Sequence, residues 1–296
     1  MTIIMDGKKV AGALSGKIKN ALEQSTRHGI TPRVAFVRVG DLSDAVSYEN
    51  AAVKRFEKLG IDTERFHFPE DVSARAFLSK FKEINEDYSI NGILLLQPVP
   101  KHIDMKRVIE IMNPIKDIDG MTPINLGKIL TKEDDRLEPC TPSAVMEMLD
   151  YYEIDLKGKN VTVVGASAVV GKPLSLLLMN RDATVTICNL YTDDVEDKCS
   201  SADIIISAAG ALNLIDEAHV NEGAVVIDVG INFTEDGKMT GDVNFDAVKE
   251  KTSYITPVPG GIGAITTTML AYNLMRATDH QKEPVLFLDQ ASDFNE

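Results

Sequence analysis

Between Val161 and Leu178 the chain reads VTVVGASAVVGKPLSLLL, and this run restricts the fold more than any other. A β-branched stretch ends in Gly165, small residues follow, and Gly171 opens an apolar segment of helical character. That order builds a strand, a tight turn and a helix whose first backbone N–H groups and dipole face an anion. The loop departs from the full G-x-G-x-x-G spelling: Ser167 replaces the second glycine, and Val170 with Gly171 shifts the third. A ligand-free strand-to-helix turn has the same outline, so nucleotide binding needs support from the rest of the chain.

Alternation of strands and helices gives that support. Val10, Leu14, Ile18, Ala21 and Leu22 recur at helical spacing and stop at His28-Gly29. Arg33–Val39 and Thr63–Phe68 read as strands, flanking a helix over Ser43–Leu59 that Gly60 closes. Ser73 caps a helix to Asp87, Gly92–Leu96 is a strand halted by Pro98, and Met105–Met112 is helical. Pro114 to Pro142 is rich in turn residues and predicts an irregular crossover or cleft-lining connection, after which Ser143 caps a helix through Tyr152. Strands follow near Val161–Val164, Thr184–Cys188, Ile204–Ser207 and Val225–Val229. A hairpin-type excursion spans Ile231–Asp242, and a last helix runs to about Ala277. The acidic end, DHQKEPVLFLDQASDFNE, reads as a loose tail or a docking strand. The pattern predicts an α/β protein of two domains around a cleft: 1–142 plus 266–296, and a Rossmann-like domain over 143–265.

A net charge of −14, with no basic stripe carrying interleaved aromatics, argues against nucleic acid or an anionic membrane as partner. Small anions must then be held by local backbone donors. Cys140, Cys188 and Cys199 are an odd set without metal-ligand spacing, and the five histidines are scattered. No metal site and no disulfide framework is expected, which favours a reducing cytoplasm. No run is long and apolar enough to span a bilayer.

Further segments carry a family resemblance. Tyr48, KDIDG (Lys116–Gly120), PCTP (Pro139–Pro142), DVGIN (Asp228–Asn232) and TPVPGGIGAIT (Thr256–Thr266) join GASAVVGKP in a fixed order. Together they resemble the methylenetetrahydrofolate dehydrogenase/cyclohydrolase family, from about Asp6 to Ala277. The resemblance implies oxidation of 5,10-methylene-tetrahydrofolate to the methenyl form with NADP or NAD, then hydrolysis to 10-formyl-tetrahydrofolate. It implies Tyr48 and Asp119 as catalytic groups, with Gln97, Gly260 and Gly261 completing the folate site. It places the cofactor along Thr141, Gly165, Ala166, Ser167, Leu190, Ile231 and Thr266, and implies a homodimer formed through the nucleotide domain.

Two departures bear on the hydrolase. The family's hydrolase lysine lies four residues after the tyrosine, where this chain has Ala52. At about 100° per residue, Ala52 lies roughly 40° around the helix from Tyr48, whereas Lys54 lies about 120° to the other side and reads as a solvated charge. The glutamine that assists the lysine falls at Leu96, with Gln97 one residue late. On a strand that offset reverses the side chain's direction unless a bulge restores it. The expectation is a dehydrogenase with weak or absent cyclohydrolase. The alternatives are a fully bifunctional enzyme and a catalytically silent folate- or nucleotide-binding regulator. Cofactor choice stays open. NADP is the family default, yet Ala166 stands where some members carry arginine, and Asn189 could serve a ribose hydroxyl of NAD. Lys172 reads as a helix surface charge.

Overall fold

A computed structural model describes residues 1–281, and the acidic segment beyond lies outside the described residues. The first layer is built on three parallel strands in the order β3-β2-β4: β2 (Arg33–Val39), β3 (Asp62–Phe68) and β4 (Gly92–Leu95). The preceding β1 (Ile3–Ile4) pairs elsewhere. Strand β2 is buried along almost its whole length and sorts its side chains by parity: Val34 and Phe36 enter one apolar cluster, Ala35, Val37 and Val39 the other. The first cluster is covered by α1 (Gly7–Arg27) and α2 (Ser43–Leu59), the second by α3 (Ala74–Glu86) and α4 (Met105–Ile111). Ser73 caps α3 by accepting from the Ala76 N–H, as its position in the sequence suggests.

The stretch from Pro114 to Pro142 is more ordered than its composition implied. It contains α5 (Pro123–Thr131), started by Thr122 as cap and Pro123 in the first turn. Helix α6 (Cys140–Tyr151) begins three residues before the expected cap. Ser143 is buried inside it and donates to Glu138 Oε2 at 2.9 Å instead of capping. Prolines at 139 and 142 tolerate this start because the first turn lacks intrahelical partners for its N–H groups.

The second layer holds β5 (Asn160–Val164), α7 (Gly171–Met179), β6 (Thr184–Cys188), α8 (Val195–Ser200), β7 (Ile204–Ser207) and β8 (Val225–Asp228). The hairpin β9 (Asn232–Phe233) and β10 (Met239–Thr240) follows, then α9 (Phe245–Val248), β11 (Tyr254–Ile255) and α10 (Thr266–His280). Six strands form one parallel sheet in the order β1-β11-β8-β7-β5-β6. Counted from β5, that is the doubly wound order 2-1-3-4-5, with its switch point between β5 and β7. The added strand corrects the expected boundary: Ile3 and Ile4 pair with Tyr254 and Ile255, so the chain's first residues belong to the second sheet. One apolar cluster runs from Val10 and Phe56 through Leu149 to Leu174 and Leu274, joining both sheets through α1, α6 and α10. Among the described residues no helix is long and apolar enough to cross a membrane.

Candidate active site

At the switch point the backbone itself makes the cradle. Gly165 ends β5 at φ 119°, and a Cβ there would lie 2.3 Å from the Ala208 carbonyl oxygen. A Cβ on Gly171 would lie 1.8 Å from the Gly165 carbonyl oxygen, so α7 can start this close to the strand only without a side chain. Ser167 shapes the turn between them, its hydroxyl accepting from the Val170 N–H at 3.1 Å and its carbonyl from the Lys172 N–H at 3.0 Å. No side chain caps α7; the Lys172 and Leu174 N–H groups bond the Ser167 and Val170 carbonyls and Pro173 has none. The start of α7 thus offers an anion its dipole and the glycine-opened approach at Gly171 rather than a row of free donors. The glycine cradle therefore fits a dinucleotide pyrophosphate.

The loop after β7 closes the other side of the switch point, and a buried carboxylate fixes it. Asp242 accepts from Ser207 Oγ (2.9 Å), from the N–H groups of Ala209 (2.8 Å), Gly210 (3.2 Å) and Ala211 (2.9 Å), and from Asn232 Nδ2 (2.9 Å). Asp228 beside it accepts the N–H groups of Gly230, Asp242 and Val243. Burial lifts its carboxyl to about 6, against those three hydrogen bonds. The DVGIN segment is thus partly a clamp, with Ile231 projecting beyond it as an exposed residue. Sequence reasoning did not single out Asp242; its one signal was an aspartate closing a hairpin between glycine-rich turns.

The second corner is made of side chains from distant segments. Helix α2 buries Ala45, Glu49, Ala52, Val53, Phe56 and Leu59, and Glu49 is pinned by Arg38 Nε at 2.6 Å. Tyr48 sits at the edge of that buried face. As a residue it keeps 41% of its surface, but dense surroundings at the hydroxyl push the phenol upward, with the Asp119 and Cys140 charges adding to burial. Asp119 comes from the KDIDG loop, whose charged residues divide the work. Lys116 is buried and donates to the Asn85 and Asp87 carbonyls, while Asp117 accepts from Thr122 N and Asn125 Nδ2. Of the three, Asp119 is the one whose charge acts on Tyr48. Burial, then the Asp117 charge, raises its carboxyl to about 7; a hydrogen bond with Cys140 opposes the shift. Cys140 Sγ also lies 3.4 Å from the Ile118 carbonyl, and Asn273 ties that carbonyl to the Glu138 carbonyl. The structure therefore brings Tyr48, Asp119 and Cys140 together, the last of which sequence reasoning had not assigned to the site.

Neither hydrolase position carries a polar group. Ala52 is fully buried, Leu96 is 4% exposed, and both enter the cluster that covers α1 and α2. The β2–β4 register is regular from Val34↔Gly92 to Val37↔Leu95, and Leu96 N continues it to the Val37 carbonyl at 2.9 Å. No bulge restores the direction of Gln97. Its side chain is exposed and reaches Met121 Sδ at 3.5 Å, next to a cis bond to Pro98. Lys54 is exposed. The groups acting on Asp119 are Asp117 and Cys140, with no lysine among them.

The remaining predicted positions lie on separate segments. Thr141 stands in the first turn of α6 and Thr266 at the start of α10, while Ala166 follows Gly165. Leu190, just past β6, is 99% exposed. Gly260 lies at φ 109° in the loop before α10, and its carbonyl accepts the Gly7 N–H at 2.8 Å. No group of three or more His, Cys, Asp or Glu suited to a metal occurs among the described residues.

Fold and cradle define a doubly wound α/β protein with a Rossmann-like NAD(P)-binding domain. Residues 5–119 match the tetrahydrofolate dehydrogenase/cyclohydrolase catalytic domain, and residues 139–282 match the NAD(P)-binding domain of the same family. The chain belongs to the tetrahydrofolate dehydrogenase/cyclohydrolase family. It is 43% identical over 278 residues to the bifunctional protein FolD of Alkaliphilus metalliredigens, covering 94% of this chain and 98% of that one. The crystal structure of the bifunctional FolD methylenetetrahydrofolate dehydrogenase/cyclohydrolase from Campylobacter jejuni superposes with a TM-score of 0.92 at 38% identity, over 95% and 100% of the two chains. The Trypanosoma brucei dehydrogenase-cyclohydrolase, solved with NADP and an inhibitor, gives 0.88 at 31% identity over 96% and 99%.

Proposed function

We propose that this chain oxidises 5,10-methylene-tetrahydrofolate to the 5,10-methenyl form with a nicotinamide dinucleotide. The observation that carries the reading is the Tyr48–Asp119–Cys140 corner in a chain whose other domain holds a glycine-built dinucleotide cradle. The reacting carbon is flanked by two nitrogens that stabilise the cation left by the hydride, so positioning is the protein's main task. The bound nicotinamide supplies the hydride acceptor. Tyr48 packs against the folate ring system and Asp119 hydrogen-bonds the pterin. Gly260 and Gly261 admit the ligand close to the backbone. Thr141, Ala166, Ser167, Leu190, Ile231 and Thr266 line the dinucleotide. A homodimer would use the nucleotide domain, where β6 is an edge strand with Ile187 39% exposed.

The names of the relatives speak for both activities in one chain, and they favour the bifunctional reading over the loss of hydrolase expected from the sequence. Such an enzyme would hydrolyse the methenyl cation with Asp119 and without a lysine on the Tyr48 face. A second reading, a dehydrogenase with weakened hydrolase, is favoured by the fully buried Ala52 and by Leu96. A lysine-assisted attack of water has no lysine there.

A spectrophotometric assay following reduced cofactor and methenyl-folate separately tests both. Reduced cofactor with methenyl-folate removed faster than its uncatalysed hydrolysis means a bifunctional enzyme. Accumulation means the weakened hydrolase. Absence of cofactor reduction would sink the dehydrogenase reading and leave a silent binder.

A further inference from the structure

In a doubly wound sheet of this order the adenosine ribose of a bound dinucleotide lies at the end of the second strand, here β6. A carboxylate or neutral group there suits the free 2′-hydroxyl of NAD, whereas the 2′-phosphate of NADP needs a cation, most often a forked arginine. Residues Cys188 to Thr192, from the end of β6 through its turn, carry no arginine, lysine or histidine, and neither do residues 165–171 on the facing loop. Lys172 in the first turn of α7 is the nearest cation in that segment. The strand end is fixed by its own turn. Asn189 Oδ1 accepts the Tyr191 N–H at 2.8 Å, and the Asn189 N–H donates to Thr192 Oγ1 at 2.8 Å. Leu190 and Tyr191 form an uncharged, exposed rim.

Charge beyond the rim is acidic. Asp193, Asp194, Glu196 and Asp197 precede a single Lys198 before Cys199. Lys198 Nζ already donates to the Asp193 carbonyl at 2.6 Å. A phosphate monoester carries close to two negative charges at neutral pH, so a segment with four carboxylates and one engaged ammonium following the strand-end turn disfavours it. A ribose diol meets no such repulsion and finds the Asn189 amide N–H groups as donors.

We propose that this chain selects NAD over NADP, with the uncharged turn after β6 and the acidic start of α8 as the selecting element. The proposal rests on the dehydrogenase reading and deepens it. Calorimetric titration of the full chain with NAD and NADP, and with ADP-ribose and its 2′-phosphate, reads the preference without any turnover. The expected result is binding of the 2′-hydroxyl ligands tighter by about tenfold or more at low salt, narrowing as salt screens the acidic segment. Leu190→Arg, at a position with almost no contacts to lose, should raise NADP affinity several-fold. Equal binding or tighter NADP binding would overturn the proposal, and loss of that NADP binding in Lys198→Ala would identify Lys198 as the phosphate's partner. If neither nucleotide binds, the dehydrogenase reading itself fails. If NAD binds tightly yet methylene-tetrahydrofolate is not oxidised, the cofactor proposal stands and the substrate assignment falls.

Discussion

The two halves of the cleft are built on different principles. At the switch point, main-chain atoms shape the cradle: Gly165 and Gly171 leave no room for side chains, and backbone N–H groups of the loop at 209–211 are clamped by Asp242. At the other corner, Tyr48, Asp119 and Cys140 come from three separate segments, and each contributes a side chain. A backbone-built site fails as a whole when one atom intrudes, because its shape is the fold's shape. A side-chain-built site can lose or exchange one chemical step while the scaffold stays intact. Ala52 and Leu96, where the family pattern has polar groups, are absorbed into an apolar cluster without disturbing the β2–β4 ladder.

Three variants put that contrast under strain. The largest effect belongs to Gly171→Ala, whose methyl would overlap the Gly165 carbonyl. It should destabilise the chain by about 3 kcal/mol or more and abolish dinucleotide binding, measured by denaturant unfolding and calorimetry. An unchanged NAD affinity would mean that the cradle yields more easily than a close-packed backbone allows. Ala52→Lys comes next. Placed a helical turn from Tyr48, the lysine should speed methenyl hydrolysis by about tenfold or more, with only a modest loss of stability if its stem lies along the apolar cluster and its head emerges. If hydrolysis rises only in the double variant with Leu96→Gln, the strand position matters as much as the helix.

The smallest effect concerns pH. The Asp119 carboxyl is lifted in the folded chain to about 7 from an ordinary value near 3.8, so the folded state holds its proton after the unfolded state has released it. Stability contributed this way is greatest below the unfolded value and is lost as pH rises toward 7. Asp119→Asn should therefore flatten the decline in unfolding free energy between about pH 4 and pH 7. An identical slope in the variant would show that Asp119 ionises normally.

Legibility in the sequence follows the same division. Strand β2 and helix α2 were readable to the residue because an apolar run and an amphipathic period were bounded by Gly40 and Gly60. Helix α5 was not, since its nine residues carry exposed Ile124 and Leu130 and hide among turn formers; only Thr122-Pro123 announced it. The start of α6 was misplaced because Ser143 has the chemistry of a cap but is held by Glu138. Ile3-Ile4 gave no sign that it would cross to the other sheet, because a two-residue strand has no period to read. In the site, glycine spacing revealed the cradle, and a family pattern supplied Tyr48 and Asp119. The raised Asp119 carboxyl, the part played by Cys140 and the five-donor clamp on Asp242 depend on which distant segments meet, and no local pattern encodes that.

The seam between residues 3–7 and 253–260 has a consequence for how the protein is made. Ile3 bonds to the Ser253 carbonyl, Met5 to that of Ile255 and Gly7 to that of Gly260. A ribosome must therefore extend the chain past residue 260 before its first strand and the foot of its first helix can find their partners. Residues 3–7, made long before their partners, are among the last to be seated, and the loop of Gly260 and Gly261 acquires its neighbour only then. Until that moment a nascent chain can hold a finished glycine cradle beside an unseated Gly260–Gly261 loop.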